Sequence, residues 1–307
     1  MHVLVTGGAG FIGSHTVDRL LKEGATVTVL DNLSTGHRHN LDHVEDDIRF
    51  IEGDIANPGD VQTAMAGCTH CINLAAQVSV PVSINAPRLS ALSNIVGFAT
   101  LYECALAQGV ERIIYASSAA IYGDNDTLPL VETEPPNPLS PYGLEKLTNE
   151  RQAAQFETLH DNGPSLFGLR YFNVFGPRQD PTSQYAGVIS KFAECFSQGK
   201  QPTIFGDGKQ TRDFVYVKDV AAINAAMLSK TDSGVSNVCR QQSTSLLELA
   251  NIIGNITGVN SQPNFAAARI GDIIHSMGSN AHLKALGLET PTELRDGLAA
   301  LIASLKS

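Results

Sequence analysis

Val3-Leu4-Val5-Thr6-Gly7-Gly8-Ala9-Gly10-Phe11-Ile12-Gly13 is an apolar, β-branched run that enters a glycine-rich turn. An amphipathic pattern follows at once, with Val17, Leu20 and Leu21 on one helical face and Gly24 as its stop. Two glycine frames overlap: Gly8, Gly10 and Gly13 fit G-x-G-x-x-G, and Gly7, Gly10 and Gly13 fit G-x-x-G-x-x-G. Such glycines allow a tight turn, close approach of the backbone to a pyrophosphate, and close packing of helix on strand. The helix then opens with free N–H groups that suit phosphates. A second strand, Thr26-Val27-Thr28-Val29-Leu30, ends in Asp31. An acid at that strand end accepts hydrogen bonds from both ribose hydroxyls and repels a 2′-phosphate, which favours NAD over NADP. Glycine-rich turns are common, and a plain β-α-β unit with a surface Asp is the bland alternative. Strand, loop, helix and acid in this order point to a dinucleotide site.

The alternation continues outward. Ile48-Arg49-Phe50-Ile51 reads as a third strand ending at Gly53-Asp54-Ile55, and Pro58 opens a short helix through Ala66. Ile72-Asn73-Leu74 is a fourth strand, and the small Ala75-Ala76 after it leave room for a cofactor at the sheet edge. A long helical segment covers about Arg88 to Gln108, stopped by Gly109, and Arg112-Ile113-Ile114-Tyr115-Ala116 is a fifth strand ending at Ser117-Ser118. Residues 124–141 form a loop; Ser140 and Pro141 fit N-cap and first-turn positions of a helix from Tyr142 to about His160. Leu166-Phe167-Gly168-Leu169 is a sixth strand. The expected fold class is α/β: a Rossmann-type, doubly wound parallel sheet with ligands at the carboxyl ends of its strands. Beyond residue 172 the regularity fades. Asn173 to Gln184 reads as a polar loop, Val188 to Gln198 as a helix, Gln201 to Arg212 as a glycine-containing excursion, Phe214-Val215-Tyr216-Val217 as a strand, and Thr292 to Leu305 as a closing helix. The expected division is an NAD-binding domain over 1–172 plus about 213–238, and a smaller C-terminal substrate-binding lobe over about 173–212 and 239–307.

The chain has 307 residues, 43% hydrophobic and 17% charged, which is a globular composition. Its formal charge of -10 argues against general binding to nucleic acid or anionic membranes. Strand one begins at His2 without a basic or apolar leader, and no apolar run is read as long enough to span a bilayer, so a cytoplasmic location is expected. Cys68-Thr69-His70-Cys71 has the spacing of a redox pair or half a zinc site. No second pair completes a metal site, and the motif runs into an apolar strand, so structural thiols and no metal are expected.

Tyr142 and Lys146 are four residues apart and share a helix face. Of the seven tyrosines only Tyr142 has Lys at the fourth position onward. A lysine beside a phenol stabilises the phenolate and lowers its pKa, turning a tyrosine into a usable general base. A serine hydroxyl both donates and accepts, so Ser117 or Ser118 suits a proton bridge.

Together these stretches resemble the extended short-chain dehydrogenase/reductase superfamily, and within it the UDP-hexose and UDP-N-acetylhexosamine 4-epimerases. The likeness rests on Thr6 through Gly13, Asp31-Asn32-Leu33-Ser34, Gly53-Asp54-Ile55, Ser117 through Gly123, Ser140-Pro141-Tyr142-Gly143, Arg170 through Arg178, and Arg212-Asp213-Phe214. The resemblance implies a Ser118, Tyr142, Lys146 triad. It implies NAD contacts from Gly7, Gly10, Phe11, Ile12, Gly13, Asp31, Asn32, Ser34, Asp54, Ile55, Leu74, Ala75, Ala76 and Asn94, besides Tyr142 and Lys146. It implies UDP-sugar contacts from Ser79, Ser118, Asn173, Val188, Thr203, Phe205, Arg212, Arg269 and Asp272. Ser276 matches the position that gates the sugar pocket, where a small residue leaves room for a 2-acetamido group. Ala119-Ala120 stand where the related dehydratases carry an acid pair, which favours epimerisation over loss of water. Gln77 departs from relatives with lysine beside the nicotinamide. The implied activity is NAD-dependent interconversion of UDP-GlcNAc and UDP-GalNAc in a homodimer. The alternatives are an epimerase restricted to plain UDP-hexoses, a sugar-nucleotide dehydratase or decarboxylase, and a non-catalytic NAD-sensing scaffold.

Overall fold

The computed structural model describes residues 1–180, 187–268 and 273–305. β1 (His2–Thr6) is an inner strand whose Val3, Leu4 and Val5 are fully buried, as a strand covered on both faces must be. It pairs in parallel with β2 (Thr26–Asp31) on one side and β4 (His70–Asn73) on the other. β3 (Ile48–Glu52) extends β2, and β5 (Arg112–Ser118) extends β4, again in parallel. β6 (Ser165–Tyr171) and β10 (Gly234–Val238) complete a seven-stranded sheet of order β10-β6-β5-β4-β1-β2-β3. The order reverses between β1 and β4, which places the switch point of a doubly wound sheet at the end of β1.

Helices cover this sheet. α1 (Phe11–Lys22) follows β1 directly, and α2 (Pro58–Met65) starts on an Asn57 cap whose side chain accepts from Gly59 N. The segment expected as one helix from about Arg88 is helical from Pro87 to Gln108 but not uniform. α4 (Pro87–Ala91) passes into a π-helical turn, Leu92–Val96, before α5 (Gly97–Gln108), and Gly109 ends it at φ 69°. By length and composition this 22-residue helix is apolar enough to cross a membrane, contrary to the sequence expectation, but half of it is buried inside the protein. Phe98, Leu101 and Ala105 pack in the core with Leu4, Val61 and Ile113. α6 (Pro141–Leu159) begins as expected: Ser140 Oγ accepts from Gly143 N at 3.1 Å, with Pro141 in the first turn.

The chain forms two units. The first takes Met1–Ile121, Pro136–Arg170 and Val220–Ser236; the second takes Tyr122–Pro135, Tyr171–Asp219 and the chain from Asn237 onward. In the second unit β7 (Asn173–Phe175) lies parallel to β9 (Thr211–Tyr216), and β11 (Ser243–Ser245) runs antiparallel on its other side. β8 (Thr203–Phe205) pairs in parallel with β12 (Asn264–Ala266). Two stretches expected as loop and excursion therefore contain the short strands β7 and β8. α7 (Val188–Ser197) and α11 (Leu294–Ser304) fall close to the expected helices, while α9 (Leu246–Thr257) has no counterpart among them and starts on a Ser245–Glu248 capping box.

Candidate active site

The β1–α1 turn is shaped by three glycines. Gly7 has φ +68°, and a Cβ on it would come within 2.7 Å of Ala75 N at the end of β4. A Cβ on Gly13 would lie 2.0 Å from Gly7 O, so helix and turn are in backbone contact. Gly10 is the N-cap of α1 and offers no side-chain cap, which leaves the helix N–H groups uncovered. Of the two glycine frames, Gly7, Gly10 and Gly13 make this cradle; a Cβ on Gly8 would instead strike Val29 at 2.7 Å. Phe11 and Ile12, in the first turn, are half-buried. Thr6 Oγ1 donates to Asn73 Oδ1 at 2.6 Å and accepts from Ala75 N at 3.2 Å, which fixes Leu74, Ala75 and Ala76 beside the turn.

Asp31 closes the cradle. Its Oδ2 accepts from Ala9 N and its Oδ1 from Leu33 N, each at 2.9 Å. Burial pushes its carboxyl up from the usual value while both backbone bonds pull it down. Asn32 Nδ2 donates to Asp54 Oδ2 at 2.9 Å and Asn32 Oδ1 accepts from Ser34 N at 3.1 Å, so the ends of β2 and β3 form one polar rim, with Ile55 buried beneath it. A glycine turn at a helix N-terminus without a side-chain cap, next to an acid at the end of the neighbouring strand, fits a dinucleotide.

β5 is joined to β1 through β4 in parallel, so its carboxyl end lies on the same sheet edge as the cradle. The two serines there have different surroundings. Ser117 is buried and donates to Glu150, which also binds Arg170 through Nε and Nη2 at 2.9 and 2.7 Å. Ser118 accepts from Ala120 N at 3.1 Å, and its hydroxyl lies beside the Tyr142 phenol. Gly143 lets the helix close on this turn: a Cβ there would meet Ala120 O at 2.7 Å. Lys146 is 4% exposed and its Nζ donates to Ala116 O at 2.9 Å, 5.9 Å from the centre of the Tyr142 ring. Burial lowers the Lys146 ammonium to about 8, with Glu145 working against the shift. Burial pushes the Tyr142 phenol up; Ser118 lowers it and the Glu145 charge raises it further. For the chain alone burial is the largest of these influences on the phenol.

Asn94 lies in the π-helical turn and is 2% exposed. It grips the Gln77 backbone from both sides, Oδ1 from Gln77 N and Nδ2 to Gln77 O, each at 2.9 Å, and Nδ2 also reaches Glu145 Oε2 at 2.6 Å. It thus holds the chain that follows β4. Ser79 caps α3 (Val80–Asn85), accepting from Val82 N at 3.1 Å, and is 1% exposed. Sequence reasoning missed Ser90, Glu145 and Glu150; their only sequence signal was polar residues at helix positions that face the core. Cys68 and Cys71 are buried free thiols pushed up by burial, and no metal-holding cluster occurs among the described residues.

In the second unit three predicted residues meet at β9. Asn173 Nδ2 donates to Asp213 O at 3.2 Å, Arg212 Nη1 donates to Ile274 O at 3.4 Å, and Ser276 N donates to Thr211 O at 3.2 Å. Between them Asp213, fully buried, accepts from Arg240 N, Gln241 N and Gly278 N, and burial pushes its carboxyl up to about 6. Thr203 and Phe205 lie on β8, and Val188 opens α7. Arg269 and Asp272 lie outside the described residues.

A family profile for the NAD dependent epimerase/dehydratase family matches residues 3–239. Among solved structures the chain is similar to the UDP-glucose 4-epimerase of Thermotoga maritima with UDP-glucose, at 37% identity and TM-score 0.95, covering 100% of this chain and 99% of that one. It is similar to the UDP-N-acetylglucosamine 4-epimerase of Methanobrevibacter ruminantium in complex with UDP-N-acetylmuramic acid, at 34% identity and TM-score 0.95, covering 99% and 98%. A third similarity is to the UDP-glucose 4-epimerase of Thermus thermophilus in complex with NAD, at 36% identity and TM-score 0.91, covering 100% and 99%.

Proposed function

The chain belongs to the NAD dependent epimerase/dehydratase family, and on that premise we propose that it is a UDP-sugar 4-epimerase whose substrates are UDP-N-acetylhexosamines. The observation that carries the catalytic assignment is the sorting of the serines: Ser118 stands beside Tyr142, while Ser117 is turned to Glu150. Tyr142 takes the proton of the C4 hydroxyl, and Ser118, able to donate and accept, passes it. Lys146, held by Ala116 O, keeps a positive charge near the phenol. The glycine cradle and the α1 amides hold the pyrophosphate, and Asp31 with Asn32 holds the adenosine ribose. NAD held there would supply a reversible hydride acceptor for C4 and a positive charge that would favour the Tyr142 phenolate. Asn173, Arg212, Arg269 and Asp272 hold the uridine diphosphate in this reading, with Thr203 and Phe205 at the uracil; contacts remote from C4 tolerate turnover of the sugar.

The N-acetyl assignment rests on the small Ser276 and on the similarity to a UDP-N-acetylglucosamine 4-epimerase. The similarity to two UDP-glucose 4-epimerases favours plain hexoses as a second reading. Proton NMR of the purified protein with UDP-GlcNAc separates them: UDP-GalNAc forms in the first case, and only UDP-Glc is turned over in the second. Tyr142→Phe abolishes turnover and keeps NAD binding; an active Tyr142→Phe variant would exclude Tyr142 as the base. We also propose a homodimer, supported by the exposed Leu89, Leu92 and Val96 on the 87–108 helix and Leu144 on α6.

A further inference from the structure

Glu145 is a buried carboxylate next to the catalytic pair for which the chemistry above has no task. It is 5% exposed and sits one residue before Lys146. Its Oε2 accepts from Ser90 Oγ at 2.7 Å and from Asn94 Nδ2 at 2.6 Å, both neutral donors. The Lys146 ammonium turns to Ala116 O instead, so the carboxylate acts on it through space. A buried charge held by neutral donors exerts its field with little screening by solvent. Among the described residues, the titratable and polar groups on the elements packed with its helix are few. On α6 they are Tyr142, Lys146 and, one turn on, Glu150, which is committed to Arg170 of β6. α4 and the π-helical turn present neutral Ser90 and Asn94, α3 presents Ser83, whose Oγ accepts from Tyr142 N, and β5 presents Ser117 and Ser118.

We propose that Glu145 is a positioning residue of this site: fixed by Ser90 and Asn94, its negative charge holds the proton on Lys146 inside the fold and withholds the Tyr142 phenolate until a cationic cofactor is in place. The same carboxylate joins the catalytic helix to Asn94, and through it to the Gln77 backbone, so charge and geometry are set by one group. The directions of the shifts agree: the Glu145 charge raises both Lys146 and Tyr142. The inference rests on Tyr142 being the base.

The test is Glu145→Gln, which keeps an acceptor for Ser90 and Asn94 and removes the charge. The acid limb of the kcat profile is expected to move down by about half to one pH unit. The phenolate absorbance of the cofactor-free protein, taken as the difference from Tyr142→Phe, moves the same way. Ser90→Ala, which keeps the charge and removes one hydrogen bond, leaves the limb in place. An unmoved limb in Glu145→Gln, or equal movement in both variants, overturns the proposal. Should Glu145→Gln not fold, Glu145→Ser carries the same expectation. Turnover by Tyr142→Phe would overturn the base assignment and this proposal with it; an inactive Tyr142→Phe with an unmoved limb overturns the proposal alone.

Discussion

Gly13 has no room for a single methyl group, since its Cβ would sit 2.0 Å from a backbone oxygen. Gly13→Ala is expected to cost about 1–3 kcal/mol in thermal or denaturant unfolding, and to weaken NAD in a binding titration because the cradle must open. Asp213 supplies a pH signature. Its carboxyl is ordinarily near 3.8 and stands at about 6 in the fold, so between those values the native state holds a proton that the unfolded chain has lost. The stability it contributes is complete below about pH 4 and is lost as pH rises through about 6, on the order of 3 kcal/mol. Denaturant unfolding across that window shows the slope in the wild type, and Asp213→Asn flattens it. Single residues were partly legible in the sequence. The cradle glycines and Asp31 stand in a local order that chemistry dictates. Ser117 and Ser118 were not separable: strand alternation puts them on opposite faces, but only the packing of α6 on β5 says which face meets the phenol.

Caps decide much at the level of elements. Ser140→Ala removes the hydroxyl that accepts from Gly143 N and is expected to cost about 1 kcal/mol. Ser245→Ala, in the capping box of α9, costs a similar amount, about 1 kcal/mol. The two differ in kinetics: Tyr142 lies in the first turn of the helix that Ser140 fixes, so kcat falls with Ser140→Ala and holds with Ser245→Ala in parallel melting and turnover assays. The Ser140-Pro141 start and the Gly109 stop were readable because cap chemistry is local. The π-helical turn was not, because one extra residue barely disturbs the apolar spacing of residues 87–108. Strands β7 and β8 are three residues each, and they exist through partners far along the chain, Phe214 through Tyr216 and Asn264 through Ala266. The Ser90–Asn94–Glu145 contact was hidden for the same reason, joining residues more than 50 positions apart.

For the whole molecule the assembly state is the direct question. Light scattering is expected to give a dimer, and the double variant Leu92→Glu, Val96→Glu a folded monomer, because both side chains are exposed in the single chain and their loss opens no cavity. A dimer retained in that variant would move the interface elsewhere. The order of the alternating strands and helices made the doubly wound sheet readable, whereas the short pairings of the second unit depend on contacts that no local pattern announces. The interleaving of the units has a consequence for synthesis. The chain passes between them after Ile121, Pro135, Arg170, Asp219 and Ser236, so neither unit corresponds to one continuous stretch of message. β6 gains its outer neighbour only once β10, Gly234–Val238, has been made. A nascent chain paused before Gly234 therefore has β6, a strand that is interior in the finished sheet, as its exposed edge, and translation past Val238 moves that edge outward to β10.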